Sequence, residues 1–170
     1  MDISILGAGT WGASLGQVLS DNKHNVKIWH YNERFTSRLQ STHIHPFLPE
    51  FTLNKSIKFT SSLNDLLSYG DVLISAIPSH AIRSLYNQFP ENWSKLIVSA
   101  SKGIENESGM CISEVIRDCL SSDNIAVLSG PSHAEEVIRK NPTAIVSACS
   151  NIKHARKIQR LFSNQYFRVY

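Results

Sequence analysis

A chain of 170 residues is long enough for one domain with a sizeable core, and no repeat, low-complexity tract or linker divides it. An apolar fraction of 42% beside 18% charged residues describes a globular protein and excludes a disordered one. A formal net charge of +3 from scattered basic residues predicts no nucleic-acid partner and suits an anionic small molecule.

The chain opens with MDISILGAGTWGASLG. Ile3 to Leu6 cluster apolar groups as a buried strand does, and Trp11, Leu15, Val18 and Leu19 recur at helical intervals. Between them Gly7, Gly9 and Gly12 follow the spacing G-x-G-x-x-G. Strand, glycine turn and helix form the context in which this spacing predicts a dinucleotide site. Gly7 would make the tight turn, Gly9 would let a pyrophosphate approach, and Gly12 would pack helix against strand. Free backbone N–H groups at the helix start would receive the anion. The competing reading is a βα turn that needs its glycines only for its own backbone.

Further along, Val26 to His30 reads as a second strand and residues 41–56, with Pro46 and Pro49, as an irregular connection. Ile57 to Thr60 reads as a short strand and Leu63 to Leu67 as a short helix. Asp71 to Pro78 is a near-continuous apolar run, as in a strand buried on both faces. Ser79 then stands as the cap of a helix running to Gln88. Leu96 to Ala100 predicts a strand, Met110 to Leu120 a helix, Ile125 to Leu128 a strand, and Ser132 to Ile138 a helix start. Thr143 to Ala148 and Phe167 to Tyr170 read as strands around a basic helix, Ile152 to Phe162. This alternation predicts an α/β fold of Rossmann type. Its sheet is doubly wound and mostly parallel, with helices on both faces and mixed strands at the C-terminal end.

Ligands of such sheets bind outside the carboxyl ends of the strands. Four loops are therefore expected to converge: the glycine turn, Pro78-Ser79-His80, Ser101 to Glu105, and Ser129 to Glu136. Lys102 is their most informative charge, placed to neutralise a phosphate or to hydrogen-bond a hydroxyl or carbonyl oxygen. Its bland reading is a solvated surface lysine. Ser132 and Glu135 fit S-x-x-E, a capping box, and the same helix start behind Gly130 is also an anion site.

Other residues point less far. His43 and His45 lack a third ligand at metal spacing, and His24 and His154 look exposed. His80 and His133 lie at strand ends without a clear acid or base role, and Lys140-Asn141 reads as solvated and away from the cleft. Cys111, Cys119 and Cys149 are odd in number and read as buried thiols of a reducing cytoplasm. No apolar run approaches the ~20 residues of a membrane helix. Asp2 stands where a signal peptide would be basic. At the end of the second strand, Trp29-His30-Tyr31-Asn32-Glu33-Arg34 offers neither an acid nor an Arg in the first positions, so NAD and NADP both stay open.

The blocks GAGTWG, AIPSHAIR, SKGIE, LSGPSHAEEV and FRVY, in this order, resemble the amino-terminal domain of bacterial NAD(P)-dependent sn-glycerol-3-phosphate dehydrogenases over the whole chain. The resemblance implies interconversion of dihydroxyacetone phosphate and sn-glycerol 3-phosphate, for glycerophospholipid synthesis. It implies NAD or NADP contacts from Gly7, Gly9, Thr10, Trp11, Gly12, Tyr31, Lys102 and Ala134, and substrate contacts from Lys102, Gly130 and Ser132. An Arg common in that family after the second strand is replaced by Asn32. The family's general acid/base is a Lys of a second, helical domain expected after residue 170, so residues 1–170 are expected to supply the cofactor domain, with Lys102 in support. A homodimer of the full-length enzyme fits the same picture. The alternatives are a non-catalytic dinucleotide-binding module, or a related reductase of another small substrate, against which SKGIE argues.

Overall fold

The computed structural model describes all of residues 1–170. Strands β1 (Asp2–Leu6), β2 (Asn25–Trp29), β3 (Lys58–Thr60), β4 (Val72–Ser75), β5 (Leu96–Ser99), β6 (Ile125–Ser129), β7 (Thr143–Ala148) and β8 (Phe167–Val169) form one sheet in the order β3-β2-β1-β4-β5-β6-β7-β8. The first six are parallel, β7 runs antiparallel to β6, and β8 is parallel to β7. Strand order reverses between β1 and β4, which fixes the crevice for a ligand at their carboxyl ends.

Alternation along each strand divides the core in two. Ile3 and Ile5 of β1, Val72 and Ile74 of β4 and Val98 of β5 face helices α1 (Thr10–Asp21), α6 (Ala134–Ile138) and α7 (Ile152–Phe162). Leu6, Leu73 and Ile97 face the opposite layer of α3 (Leu63–Tyr69), α4 (Ile82–Tyr86) and α5 (Ile112–Leu120). Strands apolar on both faces can only sit between two helical layers, as the run at Asp71 to Pro78 predicts. The strand within that run is shorter, because Ala76 to Pro78 turn out into the crevice.

Several expectations need correction. A helix absent from the sequence reading, α2 (Glu33–Thr42), follows β2; it buries only Thr36 and Leu39, too little apolar periodicity to show. The polar connection at 41–56 is partly core, since His43, His45, Leu48 and Leu53 are all buried. Ser79 caps no helix: Ser79–Ala81 is a 3-10 turn entered from Pro78, and α4 starts at Ile82. The S-x-x-E pattern at Ser132 is not a capping box either. Helix α6 begins at Ala134 with His133 at its cap, and the Ser132 hydroxyl turns back to the Gly130 carbonyl at 3.4 Å. Glutamate closes a helix start elsewhere, where Glu114 Oε2 accepts the Cys111 N–H at 2.8 Å. Cys111 is exposed and Cys119 and Cys149 half-buried, so none is a core thiol. His24 and His154 are half-buried, whereas Lys140 is exposed and away from the cleft as expected, and pairs there with Asp21 at 2.9 Å. No helix is long and apolar enough to cross a membrane.

Candidate functional site

The glycine turn joins β1 to α1, and its three glycines differ in what they need. A Cβ on Gly7, whose φ is +114°, would lie 2.5 Å from the Ala76 carbonyl oxygen. One on Gly12 would lie 1.9 Å from the carbonyl oxygen of Gly7. Both residues are glycine because the fold leaves no room for anything else. Gly9 is different: its backbone is extended and a Cβ there would meet nothing within 4 Å. Gly9 is the cap of α1, a place that Ser, Thr, Asn or Asp fill as well, whereas a ligand lying against the backbone calls for glycine itself.

Around Gly9 opens a groove of about 630 Å³ lined by the turn, by Trp29 to Tyr31, by Ala76 to Pro78 with His80, and by Ala100 to Lys102. Its size and its position at the reversal of strand order fit a dinucleotide, and the α1 start supplies unpaired N–H groups for phosphate. A second cavity of about 330 Å³ adjoins it, lined by Lys102, Gly103, Cys111, Ser129, Gly130 and Ser132 among others. Trp11 and Ala100 to Lys102 border both. The Trp11 indole N–H donates to the Ala100 carbonyl at 3.0 Å, so a bulky ring within the glycine run ties the turn to the end of β5. It forms the partition between the two cavities.

Lys102 stands at that partition. Its ammonium lies 5.6 Å from the centre of the Trp11 ring and donates to the Ser132 carbonyl at 2.8 Å. One cation is thus shared by three of the four loops and can address ligands on both sides. Of the remaining expected residues, Thr10 and Tyr31 line the groove, and Gly130 and Ser132 line the second cavity. Ala134 lines neither; it is buried, and its carbonyl accepts the Ser14 hydroxyl at 2.9 Å, joining α6 to α1. His133 is also outside both cavities.

The rim after β2 is aromatic. His30 and Tyr31 stack with ring centroids 4.4 Å apart, and Tyr31 is 76% exposed. Asn32 spends its side chain on the Phe35 N–H at 3.0 Å, capping α2. No group of three or more potential metal ligands is assembled anywhere.

Two motif ends missed as functional residues hold the Lys102 loop. Arg83 donates from Nε and Nη2 to the two carboxylate oxygens of Glu105, at 2.8 and 2.9 Å. Arg83 closes the AIPSHAIR block and Glu105 closes SKGIE, so a bidentate pair clamps one site loop to the other. Glu105 is buried, and Arg83 together with the Ser108 hydroxyl holds its carboxyl down at about 2. A depressed carboxyl stabilises the fold above its unfolded value of 4.5, and that contribution is lost as pH falls towards about 2. The melting temperature of the native chain is therefore expected to fall more steeply with acid across this window than that of Glu105→Gln. Parallel slopes would show that the pair does not tie the loop.

A doubly wound sheet with a glycine turn, an open helix start and a groove at the strand reversal defines a dinucleotide-binding α/β domain. Comparison with known proteins is more specific. Residues 2–155 match the family described as NAD-dependent glycerol-3-phosphate dehydrogenase N-terminus, and the chain belongs to this family. It is 38% identical to the glycerol-3-phosphate dehydrogenase [NAD(P)+] of Lysinibacillus sphaericus, over 99% of this chain and 52% of that protein. With the corresponding protein of Bacillus velezensis it shares 40% identity, over 99% and 50%. A crystal structure of glycerol-3-phosphate dehydrogenase from Coxiella burnetii superposes with a TM-score of 0.90 at 27% identity, covering 99% of this chain and 53% of that one. The chain thus spans about half the length of the curated relatives it matches.

Proposed function

We propose that residues 1–170 are the cofactor-binding domain of an enzyme interconverting dihydroxyacetone phosphate and sn-glycerol 3-phosphate with NAD or NADP, in the service of glycerophospholipid synthesis. The observation that supports this most is Lys102 at the partition between a dinucleotide-sized groove and a smaller polar cavity. In this reading the groove takes the dinucleotide, with Gly7, Gly9, Thr10, Trp11 and Gly12 around its phosphates and Tyr31 at its outer rim. Ala134 acts through α1 and not by lining the groove. Gly130, Ser132 and Lys102 hold the phosphorylated substrate in the second cavity.

A nicotinamide held in the groove would supply the hydride donor or acceptor for the central carbon of the substrate. The chain's own part is positioning. Trp11 fixes the boundary between the two ligands, and the Lys102 ammonium moves from the Ser132 carbonyl to a substrate oxygen or phosphate, offsetting negative charge there. The proton belongs to a lysine of a helical second domain. One face of the sheet supports that division. Val146 is 52% exposed on β7, with Ala144 and Ala148 beside it and Ser129 of β6 opposite, next to the second cavity. An apolar strip of this kind beside a substrate cavity suits a covering domain. A cytoplasmic location, which accords with three free thiols, and a homodimer of the full-length enzyme complete the proposal.

The rim after β2 sets the expected cofactor choice. Asn32 is engaged as a helix cap and Glu33 follows it, so no fixed cation awaits a 2′-phosphate. A charged contact of that kind would be worth about 10- to 100-fold. Dissociation constants for NADH and NADPH at moderate salt are expected to agree within about 10-fold. A far tighter NADPH complex, reversed by Arg34→Ala, would contradict this.

A further inference from the structure

His45 lies in the connection between α2 and β3, beneath the glycine turn, and is 1% exposed. Its Nε2 is 3.1 Å from the carbonyl oxygen of Ala8, and its Nδ1 accepts the Phe47 backbone N–H at 3.2 Å. A ring nitrogen that accepts an N–H carries no proton, so the ring proton sits on Nε2 and is donated to Ala8. Burial lowers the pKa of the ring and favours this neutral form. Phe35 packs on His45 edge to face at 5.6 Å, which fixes the ring plane.

Ala8 and Gly9 share one peptide unit, and it is trans. The Ala8 C=O and the Gly9 N–H therefore point in opposite directions. A carbonyl drawn inward to His45 turns the Gly9 N–H outward, into the groove. That N–H takes no part in the protein's own hydrogen bonding. A reversed peptide would instead present a carbonyl oxygen to an anion. We propose that His45 is a positioning residue for the cofactor, fixing the Ala8–Gly9 peptide so that the Gly9 N–H donates to the pyrophosphate. This role rests on the dinucleotide reading of the groove.

Two conservative variants separate the two bonds of the ring. The side-chain nitrogen of Gln falls near the place of His Nε2, so His45→Gln keeps a donor for Ala8. Asn reaches only to the place of Nδ1, so His45→Asn loses that donor while keeping a polar group beside Phe47. In fluorescence titrations, His45→Asn is expected to weaken NADH and ADP-ribose alike by about 10-fold or more, while His45→Gln stays within about 3-fold of the native chain. Native affinity in His45→Asn, or equal losses in both variants, would overturn the role. The native chain gives a test that needs no variant: nitrogen NMR should show His45 protonated at Nε2, and a proton on Nδ1 would overturn the proposal. If the native chain bound neither NADH nor NADPH, the dinucleotide reading itself would fall and this role with it.

Discussion

Gly9→Val is expected to fold like the native chain and to lose affinity for NADH and NADPH about 100-fold or more, close to 2.7 kcal/mol. The backbone at Gly9 is extended, with φ −68° and ψ 174°, which a β-branched residue adopts readily. Its Cβ would point into open space, so the folded state suffers only the small cost of a poorer helix cap. The same branch would stand where a pyrophosphate must approach the backbone, and contact with several N–H groups would be lost together. Gly12→Ala makes the contrast, because its Cβ would meet the Gly7 carbonyl oxygen at 1.9 Å and must disturb the turn itself. Calorimetric titration with a parallel melting curve separates the two effects. Unchanged binding by a folded Gly9→Val protein would mean that the groove is not the dinucleotide site.

Residues 1–170 alone are expected to bind NADH without oxidising it when dihydroxyacetone phosphate is added. Carbonyl reduction needs a proton donor within about 3 Å of the substrate oxygen. Lys102 is the one Lys, Arg, Asp or Glu lining either cavity, and His30 and His80 line only the dinucleotide groove. Lys102 is engaged in holding the Ser132 carbonyl and in stacking over Trp11, which suits orientation of a ligand. Loss of general acid catalysis alone costs roughly 10²- to 10⁴-fold. An uncovered cavity also leaves water in place and the substrate loosely held, which adds to the loss. NADH absorbance at constant level over an assay long enough to see a 10⁴-fold slower enzyme is the expected result. Turnover at an ordinary enzymatic rate that Lys102→Met abolishes would make Lys102 the acid and overturn the division of roles.

Much of this was legible because the signals are local and repeated. Strands β4, β5 and β6 are apolar on both faces and β1 wholly on one, so their runs stand out, and each ends in a loop rich in Gly, Ser or Pro that marks the crevice. What escaped was set by distant contacts. Helix α2 exposes most of its surface, and its stop is a left-handed His43 instead of a glycine. Ser132 has the local pattern of a cap, but its carbonyl is held by Lys102, thirty residues away, and the chain turns helical two residues later. His45 beside His43 suggests only a metal pair without a third ligand; its contact is with Ala8, which lies 37 residues earlier in the chain. The Arg83–Glu105 clamp was visible only as the last letters of two motifs, because pairing across 22 residues leaves no periodic trace.

The dinucleotide assignment is tested most directly by a nitrogen–proton correlation spectrum of the native chain titrated with NADH and with NADPH. Amides of Gly9, Thr10, Trp11 and Gly12 should move first and furthest, together with those of Lys102 and Gly103, and by comparable amounts for the two cofactors. A spectrum unmoved at saturating cofactor, or one in which the shifts gather away from the glycine turn, for instance at the polar hollow between Glu33 and Ser61, would contradict it.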